Sequence, residues 1–263
     1  MSALADRGVL VTRPRAQAGE LTTALVAQGA RVLAFPALEI RDPANDAPLN
    51  KALDRLAAAD IAVFISVNAV QRVFNRLGSL GLSWPTNLSI AAIGARTAKE
   101  LRDLGHPATI VPPRRFDSEA LLALPELAPD AVFGRRVLVF RGDGGREHLA
   151  DELTRRGAEV SAIESYRRAK PDADASDLMR AWSRNEIDIV LVGSVETWHN
   201  LYEMVGKLGR MWLRKTAIVA GSERIAEAIR SSGHAGMLVV AEDPSDTAMI
   251  ATAARALAPT DDA

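Results

Sequence analysis

The chain has 263 residues, of which 48% are hydrophobic and 25% charged, so it can bury the cores of two ordinary domains. Its 32 Lys and Arg residues are balanced by 33 Asp and Glu residues, which argues against nucleic acid as a partner because nucleic-acid-binding domains usually carry a basic excess. There is no cysteine, which excludes disulfides, thiolate metal sites and cysteine nucleophiles.

Short apolar runs alternate along the chain with amphipathic stretches of helical length, the pattern typical of parallel sheets covered by helices. In chain order, the predicted strands lie near residues 9–12, 32–35, 61–65, 89–93, 109–111, 137–140, 160–163, 187–192, 217–220 and 237–240. The helix predicted after the first strand ends at Gly29, and the helix after the sixth strand ends in the same way at Gly157. The strands divide into two five-stranded doubly wound sheets.

A long repeat relates the two halves of the chain. VLVTRPRAQAGELTTALVAQGARV begins at Val9, and VLVFRGDGGREHLADELTRRGAEV begins at Val137, an offset of 137 − 9 = 128 residues. The same offset relates Ser66 to Ser194 without a gap. Because solenoid repeats are roughly 20 to 50 residues long, this period indicates two similar globular domains.

Two segments at equivalent places, FPALEIRDPAND and IESYRRAKPDAD, are extended and run into Pro and Asp, as crossovers between domains would. If both are crossovers, the middle of the chain forms one lobe and its two ends form the other. A tandem arrangement would instead divide the chain near residue 130. Periodicity alone does not choose between these partitions.

Several weakly marked segments occur in a definite order: VLVTRP, GARVLAFPALEI, FISVNAV, AAIGARTAKELRDLGH and FDSEALLAL, then VLVFRGDGGREHLADELTRRGAEVSAIESYRR and AEDPSDTAM. In that order they resemble the uroporphyrinogen-III synthase family over nearly the whole chain. The resemblance implies an α/β fold of two flavodoxin-like, doubly wound parallel-sheet domains joined by a two-stranded linker. Residues 1–40 and 169–263 would form lobe 1, and residues 41–168 would form lobe 2.

The resemblance also implies a cofactor-free lyase of haem biosynthesis. Such an enzyme closes hydroxymethylbilane, a linear tetrapyrrole, to uroporphyrinogen III, with inversion of ring D and loss of water. The substrate carries many carboxylates, and the helix N-termini of doubly wound lobes present free N–H groups that suit anions. Two such lobes facing each other would form a cleft.

Polar residues and glycines follow the predicted strands of lobe 2 where helices begin. The substrate contacts expected there are Ser66, Asn68, Ala69, Gly94 and Thr97. For Ser66 the alternative is a plain helix cap that holds no ligand.

The equivalent contacts in lobe 1 are Ser194 and Ser222. This rim departs from its counterpart, because Glu196 replaces Asn68 and would repel a carboxylate. Ile225 likewise replaces Thr97.

Two arginines occupy matched places after the first strand of each repeat. Arg13 and Arg141 could each form a bidentate pair with a substrate carboxylate, or an ion pair with a neighbouring acid. Gly142 follows in RGDGGRE, which lacks both the Gly-Lys-Ser/Thr of a phosphate loop and the third glycine of a dinucleotide fingerprint. We interpret Gly142, Gly144 and Gly145 as a turn before a helix, with Gly142 close to the substrate.

Tyr166 is one of two tyrosines and lies on the second proposed crossover. An uncharged phenol can donate a hydrogen bond or a proton to a departing hydroxyl, and the resemblance implies this catalytic role. The alternative is a linker residue that packs on a lobe.

The expected partners are few. No histidine spacing predicts a metal site, and no cofactor is expected. No run of 18 or more apolar residues occurs, and the N-terminus lacks the apolar core of a signal peptide, so we expect a cytoplasmic protein without membrane contact. We expect a monomer that contacts hydroxymethylbilane synthase transiently. The alternative function is an inactive binding or regulatory module on the same fold.

Overall fold

A computed structural model describes residues 3–144 and 147–258. Contacts between residues divide the chain into two compact units. Unit 1 comprises Met1–Glu39 and Ala169–Ala263, and unit 2 comprises Ile40–Arg168. Each unit contains a five-stranded sheet.

The strands and helices of the described residues follow one another in an α/β pattern. The strands are β1 Gly8–Val11, β2 Arg31–Ala34, β3 Glu39–Arg41, β4 Ile61–Phe64, β5 Ser89–Ala92, β6 Arg136–Gly142, β7 Glu159–Ala169, β8 Ile189–Val192, β9 Ala217–Ala220 and β10 Leu238–Val240. The helices are α1 Gly19–Ala27, α2 Ala47–Leu53, α3 Val67–Leu80, α4 Ala95–Asp103, α5 Ser118–Leu122, α6 Pro129–Val132, α7 His148–Arg155, α8 Ser176–Ser183, α9 Val195–Met204, α10 Gly206–Leu213, α11 Glu223–Ser231 and α12 Asp246–Leu257. None of these helices is long and apolar enough to cross a membrane.

The sheet of unit 1 has the strand order β2-β1-β8-β9-β10, and its strands run parallel. Numbered along the chain within the unit, this is the order 2-1-3-4-5 of flavodoxin-like folds. Alternate strand residues point to opposite faces: Val9 packs among residues of α1 and α12, whereas Leu10 packs among residues of α8, α9 and α11. Both faces are therefore buried, which explains the nearly continuous apolar strands.

The sheet of unit 2 has the order β5-β4-β6-β7-β3. β4 pairs in parallel with β5 and β6, and β6 pairs in parallel with β7. Phe64 faces a core formed with α2, α3 and α4, whereas Val63 faces a core formed with α5 and α7. The doubly wound α/β architecture expected from the alternating pattern is confirmed.

One predicted strand is wrong. Residues 109–111 make a single bridge, from Ile110 to Ala91, and the fifth strand of this sheet is instead β3, from the first crossover segment. The equivalent segment of unit 1 forms β10, which ends with Val240 and is followed by Ala241. Unit 2 has Pro112 and Pro113 at those two positions. Proline lacks the N–H that a strand ladder requires, so the segment leaves the sheet.

The repeat places one carboxylate at the same point of both sheets. In unit 2, Asp60 accepts the backbone N–H of Arg136 at 2.8 Å and a guanidinium N–H of Arg135 at 3.2 Å. In unit 1, Asp188 accepts the backbone N–H of Gly8 at 2.6 Å and a guanidinium N–H of Arg7 at 3.3 Å. Each carboxylate thus ties two central strands together at their amino ends.

We expect Asp60→Asn to lower the free energy of unfolding by about 1 kcal/mol at pH 7, because a hydrogen bond to a charged group is replaced by a weaker one. The N–H of Arg136, together with Arg135, holds the pKa of Asp60 below its ordinary value. The contribution is therefore present above the unfolded-state pKa of about 3.9 and is lost as the pH falls through the lower folded-state pKa. Urea unfolding at pH 7 and near pH 3 measures the difference.

The matched control for this prediction is the exposed Asp54→Asn, whose side chain makes no hydrogen bond to the described residues. An Asp60→Asn variant no less stable than Asp54→Asn at pH 7 would contradict the carboxylate's proposed contribution.

Candidate functional site

The candidate site of unit 2 lies where β4 and β6 end. Phe64 is in register with Phe140, so Ile65 and Arg141 leave the two strands side by side. From this point β4 leads into α3 on one face of the sheet, whereas β6 leads toward α7 on the other. A crevice forms at such a switch point, and doubly wound folds bind their ligands there.

Ser66 begins α3 as its N-cap, and its Oγ accepts the N–H of Ala69 at 3.1 Å. The same Oγ donates to the phenolic oxygen of Tyr166 at 3.1 Å. Ser66 is thus a helix cap, and it also contacts the candidate catalytic tyrosine. Its contact with the substrate stays a prediction. The N–H of Ala69 is used by the cap.

The ring of Tyr166 packs directly on Gly142, which is its neighbour across the β6–β7 pairing. A Cβ at position 142 would lie 2.6 Å from Cζ and 2.9 Å from the phenolic oxygen. Tyr166 is 6% exposed. It therefore packs on its own unit, as the linker alternative proposed, while its hydroxyl is held at the switch point.

An irregularity in the sheet brings Tyr166 to this place. The β6–β7 register shifts between Arg141 and Gly142. Buried Ser165 donates its Oγ–H to the carbonyl of Arg141 at 3.0 Å, and Asp143 donates its backbone N–H to the carbonyl of Tyr166 at 3.0 Å. Sequence reasoning missed Ser165, because only its position next to Tyr166 distinguishes it from other strand serines.

Arg141 is the most enclosed cation at this edge, with 12% of its side chain exposed. Its guanidinium lies 3.5 Å from a carboxylate oxygen of Glu147 and 4.0 Å from one of Glu164. It also lines a cavity of about 250 Å³ together with Phe116 and Ser118. Arg141 therefore forms ion pairs with neighbouring acids, which was the alternative to a pair with a substrate carboxylate. It also borders a space that a small anionic group could enter.

The carboxyl end of β5 adds Gly94 and Thr97. Gly94 begins α4, and a Cβ there would lie 2.7 Å from Cβ of Phe116, whose side chain covers it. Thr97 is 4% exposed, so its side chain lies on the core side of α4. The next helix begins at Asp117, whose carboxylate accepts the N–H of Ala120 at 2.8 Å. This N–H, assisted by Arg115, keeps the pKa of Asp117 below its ordinary value.

Unit 1 has the equivalent arrangement at the ends of β1 and β8. Arg13 follows β1, and Ser194 caps α9 by accepting the N–H of Thr197 at 3.0 Å. The guanidinium of Arg13 forms an ion pair with Asp246 and donates to the carbonyl of Pro244 at 2.7 Å. Arg13 therefore forms an ion pair with an acid of its own unit, which was the alternative to a pair with a substrate carboxylate. This ion pair joins the start of α12 to the end of β1.

The remaining rim residues lie at helix starts. Ser222 is at the N-cap position of α11 but makes no side-chain cap bond, and Glu196 is in the first turn of α9, as Asn68 is in that of α3. Ile225 is 3% exposed and fills the core position that Thr97 fills in unit 2. The difference between Ile225 and Thr97 therefore falls on the buried side of the helix.

The loop after β6 is described as far as Gly144, whose φ of +58° is left-handed, whereas Gly145 lies outside the described residues. Among the residues that are described, no group of three or more His, Asp or Glu side chains could hold a metal ion.

Comparison with known proteins assigns this arrangement to a family. A family model described as uroporphyrinogen-III synthase HemD matches residues 19–251. The chain belongs to the uroporphyrinogen-III synthase family. Uroporphyrinogen-III synthase of Escherichia coli K12 is 34% identical over 227 residues, which are 86% of this chain and 91% of that protein. The synthase of Synechococcus elongatus is 32% identical over 220 residues, or 82% of each chain.

Solved structures of uroporphyrinogen-III synthases have the same fold. A mutant of the synthase from the extreme thermophile Thermus thermophilus matches 95% of this chain and 98% of its own, with a TM-score of 0.59 and 19% identity. The Helicobacter pylori 26695 synthetase matches 95% and 99%, with a TM-score of 0.59 and 14% identity. At these identities the likeness concerns the fold alone.

Replacement of Gly142 by Ala should displace the ring of Tyr166 and break its hydrogen bond to Ser66. Because the chain has two tyrosines, ¹³Cζ-tyrosine labelling yields two NMR signals, which Tyr166→Phe assigns. We expect Gly142→Ala to shift the Tyr166 signal, to leave that of Tyr202 in place and to cost about 1–3 kcal/mol of stability through overpacking.

Gly78→Ala is the control, because a Cβ there meets nothing within 4 Å. A Tyr166 signal as little changed in Gly142→Ala as in Gly78→Ala would show that the ring does not rest on Gly142.

Proposed function

We propose that this chain is a uroporphyrinogen-III synthase, a lyase that closes hydroxymethylbilane to uroporphyrinogen III. The C–O bond of the hydroxymethyl group breaks, and the freed carbon bonds to the α-carbon of ring D that already carries the bridge to ring C. The bond from that α-carbon to the bridge then breaks and is re-formed at the other α-carbon, which loses its proton. Ring D is thereby inverted, the macrocycle is closed, and the hydroxyl and one proton leave as water. Membership of the family, with 34% identity over 86% of the chain to the Escherichia coli synthase, supports this proposal. The reaction is redox-neutral, so it requires no electron carrier.

The observation that carries the mechanism is the contact between Ser66 and Tyr166. Ser66 Oγ accepts the N–H of Ala69 and donates its own proton to the phenolic oxygen, so the chain of donors runs toward the tyrosine. The phenolic proton then remains for a further acceptor, and the departing hydroxyl group of the substrate is such an acceptor. A phenol that is neutral at pH 7 can donate without prior protonation.

Acid catalysis contributes only part of the rate acceleration, because a pyrrole nitrogen assists departure of the hydroxyl. The larger task is to hold the rings so that closure passes through a spiro intermediate, which is catalysis by positioning. Arg141 and the helix start at Ser66 would hold carboxylates of the substrate in unit 2. Arg13, Ser194 and Ser222 are the proposed contacts in unit 1, with Arg13 already paired to Asp246.

A cytoplasmic location, a monomeric state and a transient contact with hydroxymethylbilane synthase stay predictions.

The isomer ratio of the product tests the function. Freshly generated hydroxymethylbilane is mixed with the protein, and the porphyrinogens are oxidised and separated by chromatography. We expect mainly the type III isomer, because spontaneous closure produces the uninverted type I ring. Type I alone, from protein with a cooperative unfolding transition, would overturn the proposal and favour an inactive binding module.

Tyr166→Phe should lower kcat by about 10²-fold, the lower end of the range for general acid catalysis, and leave the fold intact. Ser66→Ala should lower kcat less, because Tyr166 keeps its own proton. Ser66→Ala should also cost about 1 kcal/mol of stability through the lost cap, and Ser194→Ala, which removes the equivalent cap, calibrates that cost. An unchanged kcat for Tyr166→Phe would remove the hydroxyl from the mechanism.

A further inference from the structure

A second cavity, of about 380 Å³, lies in unit 1 beside α10. Its lining includes Lys207, Arg210, Arg214 and Lys215, with Tyr202 and Met211 as its less polar part. Lys215 lies two residues before β9 begins, so the cavity is at the amino-terminal edge of the sheet. Arg13 and Ser194 follow the carboxyl ends of their strands, at the opposite edge.

The cavity carries an excess of positive charge. Among the described residues, no carboxylate lines it and none of its four cations forms an ion pair. The neighbouring Glu203 binds Lys170 at 2.5 Å, and Lys170 together with the more weakly acting Arg210 holds the pKa of Glu203 below its ordinary value. Like charges gathered in one concave surface create a positive potential that attracts anions.

Two of the cations are held in fixed orientations. Arg210 donates its Nε–H to the carbonyl of Tyr202 at 2.7 Å, and its guanidinium carbon lies 4.4 Å from the centre of the Tyr202 ring. Arg214 donates its Nε–H to the carbonyl of Gly233 at 2.6 Å. The terminal nitrogens of both guanidinium groups make no hydrogen bond within the described parts of the chain and remain as donors. Such a fixed orientation lowers the entropic cost of binding a carboxylate or phosphate.

Gly233 allows Arg214 to lie close to the backbone. Its φ is +80°, and a Cβ there would lie 3.1 Å from a terminal nitrogen of Arg214. The carbonyl of Arg214 also accepts the backbone N–H groups of Ala235 and Gly236, at 2.8 and 2.9 Å. The loop before β10 is therefore folded around Arg214.

The charge cluster is not a consequence of the repeat. At the 128-residue offset, the four cations correspond to the uncharged residues Ser79, Leu82, Thr86 and Asn87. The helix dipole accounts for only part of the cluster. Arg210 in the last turn of α10 and Arg214 at its C-cap are placed where cations are favourable, but Lys207 lies in the first turn, where a cation is unfavourable.

We propose that this cavity binds a small polyanion that carries carboxylate or phosphate groups. The volume falls within the range of small-molecule sites, roughly 300–1,000 Å³. The arginine forks and the two lysines bind the charged groups, and Tyr202 and Met211 contact the atoms that join these groups. The site is separate from the proposed catalytic residues and does not rest on the proposed function.

Isothermal titration of the full chain with citrate and with pyrophosphate, in 0.15 M NaCl, tests the proposal. We expect saturable binding of one anion per chain, weakened at least about 10-fold in Lys207→Gln/Lys215→Gln, because two of the four cations that attract the anion are removed. Both lysines are exposed and make no hydrogen bond to the described residues, so the variant should fold normally. Binding of citrate alone assigns the site to carboxylates, and binding of pyrophosphate alone assigns it to phosphates.

The control is Lys51→Gln/Arg102→Gln, which removes the same charge from exposed positions of unit 2 and should bind the anion as the unchanged chain does. In the ¹³Cζ-tyrosine spectrum, the anion should shift the Tyr202 signal and leave that of Tyr166. Equal weakening in both double variants, or no saturable binding of either anion, would overturn the proposal. Binding of polyglutamate without either small anion would overturn it in favour of an acidic protein partner.

Discussion

One pairing in each sheet determines where the candidate residues lie: β6 with β4 in unit 2, and β1 with β8 in unit 1. At the amino end of each pair, a carboxylate, Asp60 or Asp188, binds the backbone N–H of the adjacent strand. At the carboxyl end of each pair, the two strands lead into segments that lie on opposite faces of the sheet. Because parallel strands buried on both faces tolerate little slippage, the register at one end also sets which residues meet at the other.

Tyr166 is held at this crevice by buried contacts with its own unit. β7 continues to Ala169, beyond the end of its counterpart β2, and a register shift at Gly142 lets the ring of Tyr166 lie against the backbone of β6. Ser165 fixes the shifted part of β7 to β6 by donating a hydrogen bond to the carbonyl of Arg141. A phenol fixed in this way presents one oxygen with few alternative orientations, which suits a reaction that depends on positioning.

The two repeats share their backbone positions but use them differently. Arg13 and Arg141 follow equivalent strands, yet Arg13 is committed to Asp246 whereas Arg141 lies beside Glu147 and Glu164 and borders a cavity. Beside α10, unit 1 has four cationic side chains at positions where unit 2 has uncharged residues. The repeat thus keeps four strands of each sheet and the serine caps of α3 and α9, whereas the fifth strand and many side chains around the sheet differ between the units.

The sequence by itself determined the fold class, the repeat and nearly all of the strands, because apolar periodicity and helix caps are local properties that each segment carries with it. It also indicated that Ser66 could cap a helix, from its place between a strand and a helix, and the repeat placed Ser194 at the equivalent position. Tertiary structure alone decided that Tyr166 is buried on Gly142 and that Arg13 pairs with Asp246, 233 residues away. Such contacts join distant segments, and no local pattern specifies which of many acids an arginine meets or which glycine a ring covers.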